Sequence, residues 1–262
     1  MGRADIAAAF ARARAEGRPA LMPFWPLGYP TLPVSLRVIE AIARAGADLI
    51  ELGVPFSDPL ADGPVIQRAS HIALENGASV AGCLDGAAQL RASGVRVPFL
   101  AMGYLNPLLA RGEAAYARDW RAAGADGLIV PDLPPEESGA LGTICAAEDL
   151  ALVQFVAPTS TDARIAQSAQ AASGFVYVVQ VTGVTGARQN LASGLREYVE
   201  RVKARAGGTP VVVGFGVSTP EQVREIGRYA DGVIVASALI RAAGDAADPA
   251  AAAFEFTRAL RG

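Results

Sequence analysis

Three copies of one short pattern place strong limits on how this chain can fold. Residues 45–48 and 123–126 both read Ala-Gly-Ala-Asp, residues 229–231 read Tyr-Ala-Asp, and a short, mostly apolar run follows each copy. Helices commonly end at glycine, because glycine adopts the left-handed conformation without a Cβ clash. The pattern therefore predicts that a helix end, a tight turn and a short buried strand recur along the chain.

Further apolar runs bring the number of predicted strands to eight. They are continuously apolar, which is typical of parallel strands buried on both faces. The predicted strands cover residues 21–25, 49–52, 97–102, 127–130, 152–156, 176–181, 210–214 and 233–235. Helical patterns precede, separate and follow them, at residues 6–16, 34–45, 78–92, 113–122, 135–147, 163–171, 195–206, 220–228 and 250–260.

This alternation predicts the α/β class and, in 262 residues, a (β/α)₈ TIM barrel with an extra N-terminal helix. A doubly wound open sheet is the alternative. Such a sheet normally carries a glycine-rich fingerprint after an early strand, and the sequence has none there. No linker or low-complexity stretch divides the chain, so residues 1–262 are expected to form a single domain.

Charge and composition exclude several classes of protein. The chain has 23 Lys and Arg and 26 Asp and Glu without a basic block, so we expect no nucleic-acid partner. No apolar run is long enough to span a bilayer and no signal-peptide core is present, so we expect a cytoplasmic protein. Cys83 and Cys145 are expected to be buried thiols. A single histidine, His71, argues against a Ser-His-Asp triad or a histidine metal cluster.

Glu51 is a charged residue within the predicted second strand. Side chains alternate along a strand, so Leu49, Glu51 and Gly53 share one face, which in a barrel can line the interior. Burial of an unpaired carboxyl group is unfavourable and raises its pKa, which suits a residue that gives and takes a proton near neutral pH. The alternative is a structural glutamate paired with a basic neighbour. The proline-rich loop that follows also holds Asp58 and Asp62.

Active sites of such barrels lie in the loops after the strands, where three further junctions are unusual. Residues 181–188 contain two glycines and two threonines, which is consistent with a mobile lid or with a plain surface loop. Residues 214–218 and 236–238 follow the seventh and eighth strands. Glycine and serine there can offer N–H and O–H donors to a phosphate group.

The loop after the second strand resembles a known family. Residues 51–64 read Glu-Leu-Gly-Val-Pro-Phe-Ser-Asp-Pro-Leu-Ala-Asp-Gly-Pro, which is similar to the signature of tryptophan synthase α-chains. Shorter motifs extend the resemblance, in order, along most of the chain: Met-Pro-Phe at 22–24, Val-Pro-Asp-Leu-Pro at 130–134, Gly-Val-Thr-Gly at 183–186 and Gly-Phe-Gly at 214–216. There are two departures. Residues 26–30 read Pro-Leu-Gly-Tyr-Pro in place of Thr-Ala-Gly-Asp-Pro, and Ala236 stands where the family has glycine.

The resemblance implies an activity, a partner and a set of functional residues. The activity is retro-aldol cleavage of indole-3-glycerol phosphate to indole and glyceraldehyde 3-phosphate, a carbon–carbon lyase reaction of tryptophan biosynthesis. No metal or cofactor is implied for this chain, because pyridoxal phosphate belongs to the β-subunit partner of an αββα heterotetramer. Glu51 matches the catalytic acid/base and Asp62 the catalytic aspartate. The other matching positions contact the substrate (Phe24, Tyr104, Asp132, Tyr177 and the lid residue Thr185), the phosphate group (Gly186, Gly216, Ser237) or the β-subunit (Pro55, Asp58, Asn106).

Other functions stay open at this point. A stand-alone lyase would perform the same cleavage without a β-subunit. A non-catalytic α-like subunit would only activate a β-subunit, but the presence of both Glu51 and Asp62 argues against it. A different phosphate-binding barrel, such as a sugar-phosphate isomerase, is disfavoured because the chain has no second histidine and no lysine at a strand end.

Overall fold

Eight parallel strands form a closed barrel in the computed structural model, which describes residues 2–179 and 188–262. Each strand pairs with the next along the chain, and β8 pairs with β1. The strands are β1 (Ala20–Pro26), β2 (Ile50–Gly53), β3 (Phe99–Met102), β4 (Gly127–Ile129), β5 (Ala151–Val156), β6 (Val176–Val178), β7 (Val211–Val213) and β8 (Gly232–Val235). The predicted TIM barrel is confirmed, and every predicted strand contains one of these eight or overlaps it.

Helices surround the barrel and connect its strands. In the described ranges they are α1 (Arg3–Ala15), α2 (Leu32–Arg44), α3 (Pro64–Glu75), α4 (Val80–Ala92), α5 (Leu105–Arg111), α6 (Glu113–Ala122), α7 (Gly139–Ala147), α8 (Asp162–Ala171), α9 (Arg188–Lys203), α10 (Pro220–Ile226), α11 (Ser237–Ala243) and α12 (Pro249–Arg261). None of these helices is long and apolar enough to cross a membrane.

The sequence patterns miss or misplace several helices. The predicted helix ranges leave out α3, α5 and α11, and α5 and α11 are only seven residues long, too short for a clear helical period. The helix predicted for residues 135–147 begins only at Gly139. Before it, the N–H groups of Glu137 and Ser138 donate to carbonyls three residues back, at Pro134 and Pro135, so this segment forms turns.

Side chains along the strands alternate between the barrel interior and the layer beneath the helices. The interior core contains Met22, Leu49, Leu100, Ile129, Val153, Val212 and Ile234. Helix α1 closes the N-terminal end of this core: Ile6 and Phe10 belong to it, and the Phe10 ring lies 5.9 Å from the ring of Phe175. A ligand therefore reaches the interior from the opposite end, where the strands finish.

The aspartates of the three repeats have a shared structural task at the closed end. Each accepts a hydrogen bond of 2.9 Å from a backbone N–H near the start of a neighbouring strand: Asp48 from Leu21, Asp126 from Phe99 and Asp231 from Val211. Each also pairs with a basic side chain, Asp48 with Arg18, Asp126 with Arg91 and Asp231 with Lys203. The repeat thus supplies a carboxylate that joins adjacent strands where they begin.

Candidate active site

A cavity of about 330 Å³ lies at the open, C-terminal end of the barrel. Its lining includes residues at or just beyond the ends of strands, among them Met102, Val179, Gly214 and Ala236. The walls are largely apolar, with the side chains of Phe24, Ile66, Phe155, Phe215 and Ile234. An apolar cavity with few polar groups is the usual setting for a small-molecule site.

Glu51 lies on β2 and faces this cavity with its side chain fully buried. Neither carboxyl oxygen has a hydrogen-bond partner within the described ranges, and no described basic side chain lies within ion-pair distance. Burial raises the pKa of Glu51 well above its ordinary value, and the negative charge of Asp62 raises it further. The described residues therefore offer no counter-charge of the kind that a structural, paired glutamate would need.

Asp62 lines the same cavity from the loop between β2 and α3. The Tyr104 hydroxyl donates a hydrogen bond of 3.0 Å to Asp62 Oδ2 and accepts one of 3.1 Å from the backbone N–H of Ala61. Burial raises the pKa of Asp62 to about 6, although the Tyr104 hydrogen bond acts in the opposite direction. Tyr104 is itself buried and does not line the cavity, so it contacts Asp62 from the side that faces away from the cavity.

Two aromatic rings of the cavity wall depend on glycines beside them. A Cβ atom at Gly214 would lie 1.9 Å from the Tyr177 ring, and one at Gly53 would lie 2.5 Å from the Phe24 ring. Tyr177 is buried on β6, and the charges of Glu51 and Asp62 add to the effect of burial in raising its pKa. These glycines thus let aromatic side chains lie close to the two carboxyl groups.

The opposite side of the cavity is formed by the junctions after β7 and β8. Gly216 has a φ of +72°, a backbone conformation that glycine adopts without strain. The backbone N–H groups of Gly216 and Ser237 make no hydrogen bond to another described residue. Both residues line the cavity, so both N–H groups are free to bind an anion there.

The residues expected at the substrate and partner surfaces fall into different environments. Asp132 is exposed on the rim, where it accepts a 2.9 Å hydrogen bond from the Leu105 N–H, and it does not line the cavity. Asp58 and Asn106 are exposed, whereas Pro55 is buried. Thr185 and Gly186, with the predicted lid, lie outside the described residues.

The unusual first loop is packed away from the cavity. Trp25 is fully buried on the outer side of β1, in the core between strands and helices. Its indole N–H donates a 3.0 Å hydrogen bond to the Tyr29 carbonyl, and the two rings lie 5.7 Å apart. The bulky side chains of this loop therefore do not reduce the volume of the cavity.

Sequence reasoning did not select several residues that line the cavity. Ile66, Met102, Phe155 and Phe215 form its apolar wall, and Arg241 of α11 is also part of the lining. Met102 and Phe155 lie near the C-terminal ends of their strands, and this position in the sequence could have indicated that they line the site. In the described ranges no group of three His, Cys, Asp or Glu side chains could hold a metal ion.

Comparisons with known proteins agree with this geometry. The family model for the tryptophan synthase alpha chain matches residues 10–260. A tryptophan synthase alpha chain from Roseiflexus sp. (strain RS-1) is 54% identical over 259 residues, which cover 98% of this chain and 99% of that protein. The crystal structure of tryptophan synthase subunit alpha from Legionella pneumophila str. Paris superposes with a TM-score of 0.90 at 33% identity, covering 100% of this chain and 97% of that one. A structure of Mycobacterium tuberculosis tryptophan synthase superposes with a TM-score of 0.89 at 40% identity, covering 97% of this chain and 96% of that one. The chain belongs to the tryptophan synthase alpha chain family and is a lyase that cleaves indole-3-glycerol phosphate in tryptophan biosynthesis.

Proposed function

We propose that Glu51 and Asp62 carry out the cleavage of indole-3-glycerol phosphate in this chain. The observation that supports this most strongly is the burial of Glu51 in the cavity without a partner among the described residues. Such a carboxyl group destabilises the fold, and groups of this kind concentrate at functional sites. Asp62 reaches the same cavity from the following loop, so the two carboxyl groups can act on one substrate.

Asp62 acts as a carboxylate. Its pKa of about 6 leaves it mostly ionised at neutral pH, and the hydrogen bond from Tyr104 favours the ionised form. The carboxylate accepts the hydrogen bond of the indole N–H and stabilises the positive charge that develops on the ring. Tyr104 and the Ala61 N–H fix the loop position from which it does so.

Glu51 acts as the acid and then as the base. Burial keeps a proton on Glu51 at pH values where a free glutamate has lost it. That proton is transferred to C3 of the indole, and the resulting carboxylate takes the proton of the glycerol C3′ hydroxyl as the carbon–carbon bond breaks. Indole and the aldehyde leave, and Glu51 carries a proton again. General acid–base catalysis of this kind contributes about 10²–10⁴-fold to the rate.

The remaining residues position the substrate. Phe24, Tyr177 and the apolar wall surround the indole ring, while the free N–H groups of Gly216 and Ser237 bind the phosphate group at the other side of the cavity. Thr185 and Gly186 are proposed to complete the site from the lid. Asp132 acts on the rim, where its carboxylate accepts a hydrogen bond from the Leu105 N–H and so fixes the start of α5.

The partner is the β-subunit, which holds the pyridoxal phosphate of the family. We place the contact on the rim of the open end, at the exposed Asp58 and Asn106, in an αββα complex. Pro55 is buried and takes part by shaping the loop that carries Asp58. The Leu60 side chain, 92% accessible, lies in the same loop as Asp58 and offers apolar surface to a partner at this position. A cytoplasmic location is part of the proposal, since the family is one of biosynthetic enzymes.

The direct test is to measure indole release from indole-3-glycerol phosphate by the purified chain, alone and with added β-subunit. The proposal expects slow release by the isolated chain and faster release in the complex, with both rates lost in Glu51→Gln and in Asp62→Asn. Full speed without the β-subunit would instead indicate a stand-alone lyase. Wild-type activity in either variant would remove the proposed roles.

A further inference from the structure

The described lining of the cavity carries two carboxyl groups and one basic side chain, and the substrate that binds there is an anion. Glu51 and Asp62 are the carboxyl groups of the lining, and both face a ligand whose phosphate carries about −1.5 to −2 charges at neutral pH. Among the lining residues that the structure describes, Arg241 is the only basic side chain. A cation here would offset the repulsion between the phosphate group and an ionised Asp62.

Arg241 lies where its side chain can reach the phosphate side of the cavity. It follows Ser237 by four residues on α11, and residues four apart share one face of a helix. Helical side chains also tilt toward the N-terminal end of their helix, which here is the end that carries Ser237. Both residues line the cavity, as Gly216 does from the neighbouring junction.

The guanidinium group of Arg241 is also free to bind a ligand. It makes no ion pair or hydrogen bond to any residue in the described ranges, whereas Arg224, Arg228 and Arg258 each pair with a glutamate three residues earlier on the same segment. Asp245, four residues after Arg241 and beyond the end of α11, is not within ion-pair distance of it. An arginine fork fits two oxygens of a phosphate group.

We propose that Arg241 binds the phosphate group of the substrate and sets the preference of the cavity for phosphorylated ligands. It acts together with the N–H groups of Gly216 and Ser237, so this inference rests on the phosphate site of the proposed function. The indole end of the substrate, near Phe24 and Asp62, is bound independently of Arg241.

The test compares Arg241→Gln and Arg241→Lys with the wild-type chain. Titration calorimetry gives the Kd of glycerol 3-phosphate and of indole, and steady-state kinetics give KM and kcat for indole-3-glycerol phosphate. Loss of a hydrogen-bonded charge pair at an accessible site should weaken glycerol 3-phosphate binding and raise KM about tenfold in Arg241→Gln. Binding of indole should not change, kcat should change about twofold at most, and Arg241→Lys should keep most of the affinity because it retains the charge.

A matched control removes the same charge elsewhere. Arg258 lies on the exposed face of α12 and pairs with Glu255, so Arg258→Gln alters the net charge without touching the cavity. Its affinity for glycerol 3-phosphate should equal that of the wild type. The ratio of the two Kd values for glycerol 3-phosphate, Arg241→Gln over wild type, should also fall as the salt concentration rises, because salt screens exposed charges.

Equal affinity of wild type and Arg241→Gln for glycerol 3-phosphate at low salt would overturn the inference, as would equal weakening of indole and glycerol 3-phosphate. The proposed catalytic roles are judged separately, by cleavage. If glycerol 3-phosphate binding depends on Arg241 but the cleavage rate is unchanged in Glu51→Gln, the proposed catalytic roles are wrong and this inference still holds.

Discussion

The buried carboxyl groups at the two ends of the barrel differ in their hydrogen-bond and ion-pair partners. At the closed end, Asp48 accepts hydrogen bonds from the Arg18 guanidinium at 2.5 and 2.8 Å and from the Leu21 N–H at 2.9 Å. At the open end, Glu51 is even more deeply buried and has neither kind of partner within the described ranges. The first arrangement gives the carboxylate hydrogen-bond donors and an opposite charge, and it strengthens the fold. The second disfavours ionisation and leaves the group available to a ligand.

The difference shows why burial alone does not identify a functional carboxyl group. Asp126 is also fully buried, and burial raises its pKa, but the Phe99 N–H and the Arg91 charge act against that shift. For Glu51, burial and the nearby Asp62 raise the pKa together. The feature that separates the two ends is therefore the supply of donors and opposite charge, not the depth of the side chain.

Glu51→Gln should give the largest effect, and the effect should be on rate. The amide cannot transfer a proton, so cleavage of indole-3-glycerol phosphate should fall about 10²–10⁴-fold. Stability should not fall. Because the pKa of Glu51 is raised in the folded state, wild-type stability decreases as pH rises from about 4.3, the ordinary glutamate pKa, toward that folded value.

The variant lacks this titration, so its stability advantage over wild type should grow across that pH window. Urea unfolding at several pH values, together with the indole assay, measures both effects. A variant that is less stable than wild type at neutral pH would show that Glu51 has a structural partner after all.

Asp48→Asn is the corresponding change at the closed end, and there we expect a loss of stability. The amide removes the charge that faces Arg18, and removing one partner of a buried ion pair costs about 3–5 kcal/mol. The folded fraction should still cleave its substrate with an unchanged kcat, because Asp48 lies at the far end of the barrel. Denaturant midpoints and kcat under folding conditions give the two numbers. A large fall in kcat with unchanged stability would reverse the assignment of the two ends.

Asp58→Asn changes a third, exposed carboxyl group at the open end. In the described ranges its carboxylate has only the neighbouring Ser57 hydroxyl as a partner, at 2.5 Å, so its removal should leave stability and the activity of the isolated chain unchanged. Activation by the β-subunit should weaken, so that half-maximal activation needs a several-fold higher concentration of β-subunit. Indole release is measured against added β-subunit for both proteins. Superimposable curves would remove Asp58 from the interface.

Tyr104→Phe should give the smallest effect, and it acts through pH. Because Asp62 works as a carboxylate, cleavage should fall as pH drops through about 6. The Tyr104 hydrogen bond lowers the pKa of Asp62, so its loss should move this acidic limb to higher pH by up to about one pH unit. A pH profile of kcat/KM for both proteins shows the shift, and a limb that stays in place would mean that Asp62 does not control it.

The sequence predicts the barrel well because its signals are local. Apolar runs and small-residue turns mark the strands, and Glu51 is conspicuous as a charge inside such a run. The task of Asp48 and Asp126 was not predicted, although the repeat contains them, because their donors come from other segments. Arg241 was missed for a similar reason: on a seven-residue helix it resembles any surface arginine until the chain brings it to the cavity.

The contrast between the two ends of the barrel is tested most directly by titrating Glu51 itself, with infrared difference spectra of wild type against Glu51→Gln across the pH range. The protonated carboxyl band assigned to Glu51 should persist at pH values where free glutamate is ionised. A second carboxyl group, absent in Asp62→Asn, should titrate near pH 6. A Glu51 that loses its proton in the ordinary glutamate range would show that it is solvated or paired, and would contradict the proposed division between the two ends of the barrel.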